Sequence, residues 1–263
     1  MTSPFMERHR AKIPREKSGF LKVYALARGF PCPDRDALKT AFTGLKTKER
    51  QNMAIPILII GKSGSGKSTS LRNIEPGRVA LVNVLGKPLP FRGKFDQVVT
   101  DDYNRIGGII QRAQREIVVI DDAGYLITNM FMRGHASAGG GNSVFTLYNQ
   151  IGDSFWRLVE LIRSVPADTR VYMMMHEDKS DVGDVKPKTI GKLLDEKVCL
   201  EGMFTICLRC MLSDGRHVFK TQSDGLDVSK SPIGMFDALE IENDLALVDK
   251  AICDYYEIGG AKS

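Results

Sequence analysis

The sequence predicts an α/β fold with a mostly parallel sheet flanked by helices. Three observations predict it: short apolar segments recur along the chain, helix-like segments alternate with them, and glycine-rich or acidic residues follow two of them directly. The first apolar segment, 55–60, leads into a glycine-rich octapeptide and then a helical pattern over 68–74, which Pro76 and Gly77 end. This succession is typical of a buried parallel strand joined to a helix.

The octapeptide 61–68 matches the phosphate-binding pattern G-x-x-x-x-G-K-[ST] at every position. Its glycines let successive backbone N–H groups turn around phosphates, and the following helix points its positive end at the same charge. We expect Lys67 to reach the β- and γ-phosphates and Ser68 to offer its hydroxyl to Mg²⁺. The alternative, a flexible Gly/Ser linker, fits the strand before it and the helix after it poorly. The predicted nucleotide-binding residues are Gly61, Lys62, Ser63, Gly64, Ser65, Gly66, Lys67, Ser68 and Thr69.

A second apolar run, residues 117–120, ends in two acids. A site that handles a γ-phosphate needs a carboxylate at the end of a neighbouring buried strand to hold Mg²⁺. We therefore predict that Asp121 binds Mg²⁺ with Ser68, directly or through water. Asp122 is predicted to orient or deprotonate the attacking water. The alternative is a strand end that emerges into solvent, where acids are common.

The remaining patterns complete an alternating α/β order. The predicted strands are 55–60, 78–84, 95–100, 117–120, 170–175, 203–212 and 217–222, and the predicted helices are 68–74, 103–115, 145–162 and 245–256. Asp101 or Asp102 is expected to cap the second helix. A turn at 213–216 joins the last two strands as a C-terminal hairpin. Segments 124–141 and 177–188 are predicted to be loops.

Composition restricts the cellular setting. The chain has 263 residues, of which 43% are hydrophobic, enough for one substantial core and an accessory segment. It contains no apolar stretch of membrane-spanning length and no secretion signal, so we expect a cytoplasmic protein without a membrane partner. Five scattered cysteines agree with a reducing compartment. Cys207 and Cys210 lie three apart on a predicted strand, which points their thiols to opposite faces and argues against a metal site.

Three classes of P-loop protein can be compared with these features. GTPases carry an Asn/Thr-Lys-x-Asp element, which residues 176–179 do not form, so ATP is the predicted nucleotide. Small-molecule kinases close an arginine-rich lid, and no arginine pair stands at lid spacing after Asp122. Ring ATPases of the AAA+ type carry a C-terminal helical lid, whereas strands are predicted here.

Residues 53–236 resemble the short phage-encoded RecA-like recombination ATPases, AAA-type phage nucleotide-binding proteins of the single-strand-annealing class. The resemblance rests on the segment 53–61 that enters the loop, on 117–122, on the polar residue that ends the next strand, and on Lys-Ser-Pro-Ile-Gly-Met-Phe at 230–236. It implies a RecA-like core, ATP hydrolysis with Mg²⁺, and assembly into a homo-oligomer. Single-stranded DNA is the implied partner, a single-strand-binding protein is a candidate partner, and a phage-encoded protein would act in the host cytoplasm.

The resemblance also implies roles for individual residues. His176 would sense the γ-phosphate, and Lys220 or Lys230 would reach the phosphates of an adjacent protomer. RecA relatives place a catalytic glutamate at the end of the second strand, but residues 82–86 contain no acid. Asp122 must then be the base, or hydrolysis is slow. The alternative is that the histidine and both lysines are solvated surface residues.

DNA is expected on two loops, one after Asp122 and one after His176. Phe131 and Arg133 in the first loop suit stacking on unpaired bases and binding of phosphate. Lys179 and Lys186 in the second are further candidate DNA contacts. Plain surface connections are the alternative for both loops.

Net charge does not decide between nucleic-acid binding and other functions. The chain carries +5 overall, but residues 1–52 hold 12 Lys and Arg against 5 Asp and Glu, leaving 25 against 27 for the remainder. We interpret 1–52 as a basic N-terminal extension that is disordered or not native, 53–236 as the ATPase core, and 237–263 as a C-terminal helix and tail. Two other functions stay open: a P-loop kinase or phosphotransferase acting on a small molecule or nucleotide, and a nucleotide-switched DNA-binding module with little turnover.

Overall fold

The computed structural model of the chain describes residues 54–112, 114–139, 142–165, 168–180, 183–191 and 193–258. The chain divides into two units, 1–50 and 51–263, and every described residue belongs to the second. The predicted N-terminal extension, 1–52, lies outside the described residues.

The second unit alternates strands and helices, as the sequence predicts. Its strands are β1 (Ile55–Gly61), β2 (Val79–Asn83), β3 (Gln97–Val99), β4 (Ile117–Asp121), β5 (Arg170–Lys179), β6 (Val185–Pro187), β7 (Ile206–Ser213), β8 (Arg216–Lys220) and β9 (Glu240–Glu242). Its α-helices are α1 (Tyr103–Arg112), α2 (Gly124–Gly134), α3 (Asn142–Arg163) and α4 (Leu245–Tyr256). A short 3₁₀ helix, Ser68–Asn73, replaces the first predicted helix.

The sheet has the order β3-β2-β4-β5-β1-β7-β8-β9, and β6 pairs with β5 outside this path. In this order, the first six strands, β3-β2-β4-β5-β1-β7, run parallel to one another. The pairs β7–β8, β8–β9 and β5–β6 are antiparallel. This largely parallel architecture confirms the predicted α/β class and is consistent with a P-loop NTPase fold. β5 lies between β4 and β1 and runs parallel to both. The carboxyl ends of these three strands therefore lie at the same edge of the sheet, where ligands of parallel α/β sheets bind.

The core consists of two apolar layers, one on each face of the sheet. Along β1, Leu58 and Ile60 join the layer that helices α1, α2 and α3 cover, while Ile57 and Ile59 join the layer that α4 covers. Strand residues alternate between faces, so a strand buried on both sides reads as a continuous apolar run. Cys207 and Cys210 fall in opposite layers, which confirms that they cannot share a metal.

Two segments predicted to be loops have regular structure. Within 124–141, α2 spans Gly124–Gly134 and buries Leu126 and Ile127. Glycines at both ends of this segment obscured its apolar spacing. Within 177–188, β5 continues to Lys179 and forms an antiparallel hairpin with β6. Both loop predictions were wrong, because helix and strand pairing outweighed polar and glycine-rich composition.

The acid pair before α1 has two structural roles. Asp102 caps the helix, since its Oδ1 accepts a hydrogen bond from the Arg105 backbone N–H at 2.8 Å. Asp101 instead accepts from Asn129 at 2.8 Å and from Arg133 at 2.5 Å, both on α2. The pair therefore fixes the start of α1 and connects it to α2, which confirms the capping interpretation.

A buried ion pair joins the sheet to α4 at the end opposite the phosphate-binding loop. Arg170 on β5 is 1% exposed and Asp249 on α4 is 2% exposed. The guanidinium donates to both carboxylate oxygens at 2.9 Å, and the Tyr172 hydroxyl donates to the same carboxylate at 2.8 Å. Burial and the neighbouring Asp249 charge raise the pKa of Tyr172. The side chain of Asp249 is thus the acceptor of the Tyr172 hydroxyl and the nearest carboxylate to the buried Arg170 charge.

Candidate functional site

The phosphate-binding loop between β1 and the 3₁₀ helix has the backbone that its glycines allow. Gly64 and Gly66 have φ angles of +76° and +105°, which side chains disfavour. The Lys67 ammonium donates to the carbonyl oxygens of Gly61 at 2.7 Å and Lys62 at 2.8 Å, so it lies across the loop. Lys67 is 6% exposed, and burial lowers the pKa of its ammonium. These contacts fix the Lys67 ammonium beside the loop backbone that is predicted to bind phosphate.

The β7–β8 hairpin supports the loop from behind. The Cys210 thiol donates to the Ser65 carbonyl oxygen at 3.1 Å, and His217 Nδ1 lies 2.7 Å from the same oxygen. A Cβ atom at Gly61 would stand 2.4 Å from the Cys210 carbonyl oxygen, so only glycine fits there. Sequence reasoning missed this support, because the contacts join residues about 150 positions apart that belong to no motif.

Ser68 and Asp121 meet as predicted. The Ser68 hydroxyl donates to Asp121 Oδ1 at 3.0 Å. Burial, and then the adjacent Asp122 charge, raise the pKa of Asp121. A hydroxyl beside a desolvated carboxylate fits Mg²⁺, which prefers oxygen ligands and takes only one or two protein carboxylates when phosphates supply the rest. The buried Ser65 hydroxyl has no hydrogen-bond partner among the described residues, which also fits a loop built to receive an anion.

Asp122 stands beside His176 because of a backbone turn at the end of β4. Its φ is +59°, and the next N–H, of Ala123, donates to the Met174 carbonyl oxygen on β5 at 2.7 Å. This turn brings Asp122 Oδ1 within 3.5 Å of His176 Nε2. Burial, and then the Lys67 charge, lower the pKa of His176, so its imidazole is neutral at neutral pH. A non-glycine residue held at positive φ is a strained feature that clusters at functional sites.

Lys87 is a site residue that the sequence did not reveal. It follows β2 in a loop that Asn83 holds by donating its side-chain amide to the Lys87 carbonyl oxygen at 2.7 Å. The Lys87 ammonium lies 2.5 Å from Asp122 Oδ2, and this contact raises the pKa of Lys87. The only local signals are Gly86 and two nearby prolines, which predict a turn and say nothing of a ligand.

A cavity of about 220 Å³ lies over these groups. It gathers six of the nine predicted nucleotide-binding residues, both predicted acids and His176 together with Lys87, whereas Gly61 and Ser65 do not line it. Lys62, although predicted in the same loop, faces a neighbouring cavity. The lining residues are Ser63, Gly64, Gly66, Lys67, Ser68, Thr69, Lys87, Pro88, Pro90, Asp121, Asp122 and His176.

The four candidate DNA contacts lie outside this cavity and on regular elements rather than loops. Phe131 on α2 stacks against Tyr148 with ring centroids 5.5 Å apart. Arg133, also on α2, pairs with Asp101. Lys179 is exposed near the end of β5, and Lys186 is half-buried on β6. Their predicted place on loops is therefore wrong, while their contact with DNA stays a prediction.

The two lysines predicted to act on an adjacent protomer belong to the region around β8. Lys220 is 12% exposed and pairs with Asp227 at 2.8 Å and Asp224 at 2.9 Å. The Lys230 backbone exchanges hydrogen bonds with Cys207 on β7. Neither lysine lines the 220 Å³ cavity of its own chain.

The site and the fold can be compared with known families. A family model described as an AAA domain matches residues 53–233. The chain belongs to the AAA domain family. The match covers the phosphate loop, Asp121, Asp122, His176 and the β7–β8 hairpin, and it ends before α4. A search of curated proteins found no significant match.

Membership of this family makes the domain a nucleotide-binding P-loop NTPase. Within the described residues, strands β6 to β9 follow β5 along the chain. Among the described helices, none combines the length and apolar character needed to cross a bilayer.

Asp121→Asn should stabilise the nucleotide-free protein while abolishing its response to Mg²⁺. The raised pKa of Asp121 means that the folded state disfavours its charge, so the wild type loses stability as pH rises from about 4 through the raised value. Asparagine carries no such charge, and its side-chain oxygen can still accept the hydrogen bond from the Ser68 hydroxyl. We expect a melting temperature a few degrees higher at neutral pH, converging with wild type near pH 4. Thermal melts with and without Mg²⁺ and nucleotide check both effects, and a lower neutral-pH melting temperature would contradict the burial argument.

Proposed function

We propose that the protein hydrolyses ATP with Mg²⁺ and uses the energy on single-stranded DNA, as a RecA-like ATPase that assembles into oligomers. The observation that carries the hydrolysis proposal is the pairing of Asp122 with His176 beside the phosphate loop, held by a backbone turn of positive φ. A domain that only bound nucleotide would need the loop but not a strained carboxylate at this position.

Each group has a defined chemical task in this proposal. The loop N–H groups and Lys67 bind the phosphates, while Ser68 and Asp121 hold Mg²⁺, which neutralises phosphate charge when bound. The Asp122 carboxylate accepts the proton of the attacking water. Neutral His176 has one ring N–H, which would be donated either to the Asp122 carboxylate, 3.5 Å away, or to the γ-phosphate of a bound ATP. Lys87 pairs with Asp122 and lines the same cavity, so its ammonium could exchange that partner for a phosphate oxygen.

Other observations bear on oligomer formation and DNA binding. The antiparallel hairpin after the parallel strands supports a RecA-like assignment, as does the polar end of β5. Lys220 would have to give up Asp224 and Asp227 to reach an adjacent protomer's phosphates, so Lys230 is the better candidate for that role. Arg133, Lys179 and Lys186 would supply the contacts to DNA phosphates.

The test is the rate of ATP hydrolysis with and without single-stranded DNA, with Lys67→Ala as the blank. The proposal expects Lys67-dependent hydrolysis that DNA stimulates several-fold. Hydrolysis that is indifferent to DNA but rises with a phosphate acceptor would instead indicate a kinase or phosphotransferase. That second candidate is favoured by one observation, a roomy cavity that adjoins His176. DNA binding without turnover would indicate a nucleotide-switched module.

A further inference from the structure

A second cavity, of about 510 Å³, adjoins the nucleotide cleft. It opens between the start of α2, the end of β5 and residues 188–190, and its size is within the range of about 300–1,000 Å³ typical of small-ligand pockets. Ser63, Lys87 and His176 line both cavities. A ligand in the second cavity would therefore share a wall with the nucleotide.

The charges around the second cavity favour an anion. Lys62, Lys87 and Lys188 line it, and they approach from three different segments of the chain. Glu177 is the carboxylate among the lining residues. Arg209 neutralises this carboxylate by donating two hydrogen bonds to it, of 2.8 and 3.0 Å. The Glu177 side chain is only 3% exposed. The accessible charge is thus cationic, and lysines in this arrangement suit a phosphate.

The rest of the wall is apolar and aromatic. Tyr125, Ile127 and Ile190 contribute to it, and the Tyr125 ring meets His176 edge to face with centroids 5.8 Å apart. Lysines beside an aromatic and aliphatic wall fit a ligand that has both a phosphate and a flat ring. Among common phosphate compounds, a nucleotide unit has both parts.

We propose that this cavity binds a second nucleotide unit, with its phosphate at Lys62 and Lys188 and its base against Tyr125 and Ile190. The unit is either one residue of single-stranded nucleic acid or a free nucleotide that accepts phosphate, and both present the same chemistry. The proposal rests on the proposed function in that ATP occupies the adjoining cleft. The phosphate of the second nucleotide unit also offers Lys87 a partner other than Asp122. Occupancy of the second cavity is thereby linked to the carboxylate proposed to activate water.

The test uses the full chain with the phosphate loop filled by a non-hydrolysable ATP analogue and Mg²⁺. The probes are a fluorescein-labelled thymidine oligonucleotide of about ten residues, followed by anisotropy, and thymidine monophosphate, followed by calorimetry. We expect Lys62→Gln/Lys188→Gln to weaken binding of the probe by at least about tenfold, the lower limit for the loss of one charged hydrogen bond. For the oligonucleotide, loss of the one phosphate that both lysines contact should also reduce the salt slope of log K by about 0.7. Lys188→Gln alone repeats the test without altering the phosphate loop, and Lys250→Gln, an exposed lysine on α4, is the matched control.

Binding of the oligonucleotide that depends on Lys62 and Lys188 supports the cavity with nucleic acid as the source. Dependent binding of the monophosphate alone supports it with a phosphate acceptor as the source. The proposal is overturned if neither probe binds the wild type, or if the double variant binds as tightly as the control. Binding of a fluorescent ATP analogue, with Lys67→Ala as the blank, is measured on the same samples. If the ATP analogue does not bind, the proposed function is wrong. The comparison of the Lys62 and Lys188 variants with the control then still tests whether the second cavity binds a nucleotide unit.

Discussion

Asp122→Asn should lower the kcat of ATP hydrolysis by about 10²- to 10⁴-fold, the usual worth of a positioned general base. The affinity for Mg²⁺-ATP should change little, because Lys67, Ser68 and Asp121 keep their contacts. Asparagine also tolerates the left-handed backbone at this position, where φ is +59°. The loss is therefore expected in the chemical step rather than in folding or binding. Steady-state phosphate release and titration with a fluorescent ATP analogue separate the two.

Asp214→Asn is the matched control for this substitution. Asp214 also has a positive φ, of +48°, but it lies exposed in the β7–β8 turn. The same chemical change in the same backbone conformation should leave kcat unaltered there. If Asp122→Asn hydrolyses ATP at the wild-type rate, Asp122 is not the base, and the water must be activated by another group.

Asp249→Ala should destabilise the domain by about 3–5 kcal/mol, since removing one partner leaves the other charge buried and uncompensated. The Arg170 side chain is 2% exposed, and its remaining carboxylate, Glu116, lies farther away at 3.4 Å. The Tyr172 hydroxyl also loses its acceptor. Because domains of this kind are stable by only about 5–15 kcal/mol, this loss is a large share of the total stability. Urea denaturation followed by circular dichroism measures the change.

Asp254→Ala on the same helix provides the control, because its partner Lys250 is exposed and the pair lies in solvent. We expect its unfolding midpoint to match that of the wild type. Combining Asp249→Leu with Arg170→Met removes both charges and should recover much of the stability that Asp249→Ala loses. Equal midpoints for Asp249→Ala and Asp254→Ala would show that the buried ion pair contributes little.

The sequence predicts the parts of the site that are contiguous in the chain. Residues 61–68 carry their own geometry, because the glycines and the following helix position the N–H groups locally. Asp121 and Asp122 could be placed because a buried parallel strand must end at the ligand-binding edge of the sheet. His176 could be placed because the parallel pairing of β5 with β1 ends there, opposite Gly61, although β5 itself continues to Lys179.

The parts that could not be predicted depend on pairings between distant segments. Lys87 reaches Asp122 from a loop after β2, and Cys210 supports Ser65 across 145 positions. Arg170 and Asp249 are 79 positions apart and read as ordinary charges on a strand and a helix. No periodicity or spacing records such contacts, since they arise only when the sheet order is known.

Helix patterns also mislead where one face meets solvent. Phe145 matches the apolar spacing of α3, yet it is 68% exposed at the start of the helix. Ile151 and Phe155 match the same spacing and are fully buried. The spacing identifies a helical face, but the extent of the neighbouring layer decides how much of that face is covered.

We expect that a nucleotide held by the phosphate loop is hydrolysed with Mg²⁺. The most direct measurement is phosphate release from ATP by the full chain, compared among wild type with Mg²⁺, wild type with a chelator, and Lys67→Ala with Mg²⁺. We predict release by the wild type with Mg²⁺ and background rates in the other two samples. Release that persists in Lys67→Ala, or none in the wild type while the ATP analogue binds, would contradict the claim.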